Sequence, residues 1–196
     1  MELTVSLDRC CDISRLTYDG VNMGYFSPCG YVAPSYYQPT GTDWLQSFTA
    51  GFLTTCGLNA VGSPCEDDGE VLPLHGSIAN TPASDVCWYE ENGELVVRAI
   101  IRDEQIFGRK LRLYRRIHVS LQKNAFRICD TIENTGDRQE PVEILYHMNM
   151  GYPLLDEDSV ITIPSESVLP RDDHAAPDIA NWMRMEKPQA GYQERC

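Results

Sequence analysis

Apolar and polar residues alternate with period two along most of this chain, the pattern of strands that bury one face and wet the other. Leu3-Thr4-Val5-Ser6-Leu7 predicts a short strand that stops at Asp8-Arg9, and Ile13 to Tyr18 predicts a second that enters a hairpin turn at Asp19-Gly20. Prolines, glycines and tyrosines from Ser27 to Thr42 predict an ordered aromatic loop, and Asp43 to Phe48 a single helical turn. After Ala83 the strands follow one another: Val86 to Tyr89, Glu94 to Arg102, Leu111 to Leu121, Ala125 to Asn134 and Glu140 to Met150. Turn signals stand between them at Glu91-Asn92-Gly93, Phe107-Gly108, Lys123-Asn124 and Asn134-Thr135-Gly136-Asp137. Val160 to Pro164 reads as a last short strand, and beyond Pro170 the period is lost. Short strands, polar turns and no amphipathic helix predict an all-β antiparallel meander, with residues 1–196 as one domain.

Three stretches depart from simple alternation. Leu111, Leu113, Ile117, Val119 and Leu121 share a face that Arg115 interrupts, which predicts either a bulge or an arginine turned inward. Phe52 to Ala83 has no helical or strand period, yet it keeps Leu53, Leu58, Val61, Val71, Leu72, Leu74 and Ile78. That is too apolar for a solvated linker, so the expectation is an ordered loop laid against a sheet, presenting His75 to a cleft. On the strand Glu140 to Met150, the apolar Val142, Ile144, Tyr146 and Met148 fall on one face, and Glu143, Leu145, His147 and Asn149 on the other.

Composition narrows the classes. A net charge of -13 argues against nucleic acid, which needs a basic patch, and the cations from Arg109 to Arg116 alternate as on the wet face of a strand. No run of about 18 apolar residues exists, and the opening MELTVSLDRCCDI lacks the apolar core of a secretory signal, so no membrane partner and a cytoplasmic location are expected. Eight cysteines without a CxxC pair are read as free buried thiols; the adjacent Cys10 and Cys11 could form a redox-sensitive pair, but neighbours on a strand point to opposite faces, which favours a structural role. The acidic run Glu66 to Glu70 lacks the alternating spacing of a calcium loop and reads as a solvated tip; no metal and no cofactor are expected. His118 shares a face with Arg112, Tyr114 and Arg116 and reads as solvated structure, while His174, beside Asp172 and Asp173, reads as plain loop. Trp44, Tyr36 and Tyr37 fit either stacking on the apolar face of a sugar or burial in the core.

The segment TTCGLNAVGSPCEDDGEVLPLHGSIANTPA, followed by ILYHMNMGYPLLDEDSVITIPSESVLPRDD, resembles the aldose 1-epimerase-like (galactose mutarotase-like) proteins over nearly the whole chain. The resemblance implies a supersandwich of antiparallel strands with a sugar bound across a concave sheet face. It also implies two histidines at the site, one after a loop with an N…HG pattern and one on a strand ending in H-x-x-F/Y-N-L. His75 matches the first and His147 the second, with Asn149 nearby. Interconverting anomers requires a base to take the proton of the anomeric hydroxyl while an acid protonates the ring oxygen, and histidine suits the acid because its pKa lies near neutrality. His147 is thus the expected acid and His75 the residue that steadies the sugar oxygens. Asn149, Glu143, Asn80, Trp44 and Arg171 complete the candidate substrate-binding set.

Two departures accompany the match. Ser77 stands where many relatives carry arginine after the HG pair, and the family's base, a glutamate on late strands, would lie beyond Cys196, with Glu194 too early to replace it. An incomplete sandwich is therefore expected, with an exposed edge able to pair with another chain, a homodimer included. The expected partner is a small-molecule sugar or sugar derivative. The competing reading is a carbohydrate-binding protein without catalysis, favoured by the missing base. A cupin-like metal enzyme would need an HxH pair that this sequence lacks.

Overall fold

The computed structural model describes residues 1–191. Along them run thirteen strands: β1 (Glu2–Ser6), β2 (Asp12–Tyr18), β3 (Val21–Asn22), β4 (Tyr25–Phe26), β5 (Ala50–Gly51), β6 (Leu53–Leu58), β7 (Cys65–Asp67), β8 (Glu70–Leu72), β9 (Ala83–Glu91), β10 (Glu94–Glu104), β11 (Lys110–Ser120), β12 (Phe126–Asn134) and β13 (Glu143–Met148). Helical structure among these residues is confined to short 3₁₀ turns, including Asp43–Ser47 and Ile78–Asn80. The largest sheet is antiparallel, in the order β12-β11-β10-β9. Its inner face carries Ala99, Ile101, Leu111, Leu113 and Ile117, which pack against Ile13 and Leu16 of β2 and Leu53 and Leu58 of β6. The second layer is built from the sheet β1-β2-β3 and the antiparallel pair β13-β6. This is a two-layer, all-β architecture, its strands largely those that alternation predicts and its layering that which the resemblance implies.

The pattern is misleading in a few places. The supposed loop Phe52 to Ala83 contains β6, the β7–β8 hairpin and the turn Ile78–Asn80. All six residues of β6 are buried, so both faces are covered and no alternation exists to be read. The acidic run forms the exposed turn of the hairpin, with Asp68 and Gly69 both at positive φ. Val160 to Pro164 is not a strand; only Val160 pairs, in an isolated antiparallel bridge with Arg184. Cys10 and Cys11 do not lie on a strand either. They occupy the turn between β1 and β2, both with left-handed backbone (φ 53° and 55°) and both buried. Cys29, Cys65 and Cys129 are exposed rather than buried. His118 is not simply solvated: its Nδ1 lies 3.0 Å from Glu94 Oε2 on the outer face of the large sheet.

Arg115 proves to be an inward arginine, since the β10–β11 register runs without a break from Glu94↔Ser120 to Glu104↔Lys110. Its side chain is 0% exposed. Every one of its N–H groups has an acceptor: Nε donates to Asp130 Oδ1 (3.0 Å), one terminal nitrogen to Asp12 Oδ1 (2.6 Å) and the Cys10 carbonyl (3.0 Å), and the other to Asp130 Oδ2 (2.7 Å) and Thr55 Oγ1 (2.8 Å). Thr55 in turn donates its hydroxyl and its backbone N–H to the Asp12 carboxylate. A charge so far from water is tolerated only when paired and fully bonded, as here. The cluster ties β2, β6, β11 and β12 together across the sandwich.

Candidate functional site

Two close backbone approaches assemble the site. Gly57 of β6 lies against the Glu143 carbonyl of β13, and a Cβ there would collide with that oxygen. Gly76 forms a parallel bridge with Gly57, and its own hypothetical Cβ would meet the Gly57 carbonyl and stand 2.8 Å from that of Ala60. Only glycine permits these contacts. Through them β6 sits between β13 on one side and the 73–76 segment on the other.

His75 is fixed by backbone. Its amide donates to the Gly62 carbonyl (3.0 Å), its carbonyl accepts from the Gly57 amide (3.0 Å), and its φ is 59°. The Gly62 N–H donates to His75 Nδ1 (3.1 Å), so a neutral His75 ring carries its proton on Nε2. His147 sits on β13 opposite Thr54 of β6. The two imidazoles lie edge to face, ring centres 5.6 Å apart. Trp44 meets the His75 ring at 5.0 Å, Phe48 meets the His147 ring at 5.5 Å, and Trp44 and Phe48 stack on each other at 4.6 Å. Four aromatic rings from the turn 43–48, the 73–76 segment and β13 therefore close into one group, with both histidines half-buried.

The remaining candidates have more structural employment than the sequence suggests. Asn149 is buried and spends its Nδ2 on the carbonyls of His147 (3.0 Å) and Ala50 (3.3 Å). Glu143 accepts from the Val61 amide (2.9 Å), tying the start of β13 to the loop after β6. Trp44 is only 2% exposed, so it backs His75 as a wall and offers no open face for stacking on a sugar. Asn80 is buried beside Ser47, and its Nδ2, like the indole N–H of Trp44, has no acceptor among the described residues. Arg171 is exposed and paired with its neighbour Asp172 (3.3 Å). Glu194 lies outside the described residues. Phe48 and Tyr146 were not singled out from the sequence; both sit next to better signals, and an apolar or aromatic residue in such a place looks like core.

Among the described residues no group of three or more His, Cys, Asp or Glu is gathered so as to hold a metal ion. No helix among them is long and apolar enough to cross a membrane.

Comparison with known proteins adds two matches. A family model described as a domain of unknown function (DUF4432) matches residues 1–196. Among solved structures, the crystal structure of a “putative aldose 1-epimerase” from Klebsiella pneumoniae superposes with a TM-score of 0.90 at 27% identity, over 98% of this chain and 52% of that one. This chain thus spans about half the length of that protein. No curated protein sequence matches it.

Proposed function

The chain belongs to the DUF4432 family, and from that premise we propose that it is a carbohydrate-binding isomerase of the aldose 1-epimerase type, acting on the anomers of a free sugar or sugar derivative without a cofactor. Its fold is aldose 1-epimerase-like. The observation that carries the reading is the meeting of His75 and His147, 72 residues apart in sequence, at 5.6 Å between ring centres.

In this reading His147 gives its proton to the ring oxygen as the C1–O5 bond breaks. A base takes the proton of the anomeric hydroxyl, leaving an open-chain aldehyde that recloses on either face. His75 steadies the sugar oxygens as charge moves between them. The free thiols among the described residues fit a reducing compartment, and the cytoplasm is the location we read from them.

The test is NMR exchange spectroscopy on the anomeric protons of glucose, galactose and several other aldoses. Acceleration over buffer that disappears in H147Q supports the reading. Saturable sugar binding without acceleration selects the non-catalytic alternative, and neither binding nor acceleration overturns both.

A further inference from the structure

The strand that carries His147 is poorly held by apolar burial. Leu145, Tyr146 and Met148 are each 40% exposed or more, and β13 pairs with only β6 among the described residues. Such a strand drifts unless polar contacts fix it, and an imidazole on it would drift as well. Two contacts flank His147. On one side Asn149 Nδ2 holds the His147 carbonyl (3.0 Å). On the other, the Tyr146 hydroxyl donates to Asp130 Oδ2 (2.9 Å), the oxygen that also accepts from Arg115 (2.7 Å).

We propose that Tyr146 is a positioning residue for His147: its phenol fastens β13 to the Arg115 cluster and so sets where the His147 ring stands relative to His75. The anchor suits the task. The Asp130 side chain is 4% exposed, and the Arg115 that holds it is bonded at every donor, so the oxygen offered to Tyr146 cannot wander. The same guanidinium holds Thr55 (2.8 Å), the residue paired with Tyr146 across the β6–β13 ladder. Both strands beneath the two histidines are therefore pinned to one cation. Tyr146 and His147 point to opposite faces of β13, so the phenol acts from behind and touches no substrate.

The catalytic part of the proposal rests on the epimerase reading, whereas its geometric part does not, and one pair of variants separates them. Y146F removes the hydroxyl alone. Y114F removes a matching phenol, whose hydroxyl donates to Glu133 (2.8 Å) on the outer face of the large sheet. Imidazole ¹⁵N–¹H spectra and ring-to-ring NOEs of the full chain are recorded for both. The expected result is that Y146F shifts or broadens the His147 signals and weakens the His75–His147 NOE, and Y114F leaves them as in the parent. Where anomer exchange is measurable, kcat should fall about tenfold in Y146F with KM unchanged, as expected for a misplaced acid. Parent-like His147 signals in Y146F, or equal changes in both variants, overturn the proposal. Displaced signals in a chain whose parent shows no exchange leave the positioning intact and remove the epimerase reading instead. Should Y146F fail to fold, Y146M, which removes the hydroxyl at a partly exposed position and leaves the Arg115–Asp130 pair intact, is read by the same spectra against the same control.

Discussion

His147 and His75 are held by different means, and replacing them should have different consequences. The His147 ring is met by the Phe48 and His75 rings on a strand fastened by its neighbours, so His147→Gln should leave the fold intact and lower anomer exchange by about 10²–10⁴-fold, the usual weight of a general acid. His75 occupies a left-handed backbone position that asparagine tolerates. His75→Asn should therefore keep the loop and lose only the imidazole, reducing exchange by about 10²; NMR exchange rates on the two variants check both figures. Arg115→Met would leave Asp12 and Asp130 in the interior without their cation and should destabilise the protein by about 3–5 kcal/mol, read from urea unfolding. The buried thiols add a pH dependence. Burial, followed by the nearby Asp12 charge, pushes Cys56 up to about 12 from an ordinary value near 9.0. The unfolded chain releases that proton first, so the contribution is complete below pH 9 and is lost as pH climbs toward 12. The urea midpoint should fall across this window, and Cys56→Ala should flatten the slope. At this scale the two histidines and the inward Arg115 can be picked out of the sequence. The carboxylates that neutralise Arg115, more than 100 positions away in one case and 15 in the other, cannot.

Among the elements, the strands β10 to β12 follow the alternation because each has a drier and a wetter face, whereas β9 is broken at Asp85, where its register with β10 shifts. β6 is hidden because both of its faces are dry, and Val160 to Pro164 misleads because apolar spacing alone does not supply a pairing partner. The contact between β6 and the His75 segment is equally silent in the sequence, where Gly57 and Gly76 look like ordinary loop glycines. Their side-chain hydrogens are what let the two backbones meet. Gly76→Ala, at φ 69° and with no room beside Gly57 and Ala60, should cost about 2 kcal/mol or more and push His75 away from His147. Loss of both thermal stability and the His75–His147 NOE would show it.

For the molecule as a whole, charge and surface act against each other. The net charge of -13 keeps copies apart near neutrality. Between residues 142 and 169, however, Val142, Tyr152, Ile163 and Leu169 are among a run of exposed apolar side chains, and the β10–β11 turn presents Phe107 at 99% exposure. Light scattering should rise as pH is lowered from 7 toward the pI of about 4.6, where the repulsion vanishes, and should fall in a Leu169→Lys variant.

The Arg115 cluster also dictates when the interior can close during synthesis. A chain emerging from its amino end delivers Asp12 and Thr55 early, but the guanidinium that completes them follows 103 and 60 positions later, and the Tyr146 phenol after that. Until then the Asp12 carboxylate has no counterion, and neither β6 nor β10 has its later partner strand. Ribosome-bound fragments ending before β11 should therefore be cut by protease throughout, and those extended past β13 should resist.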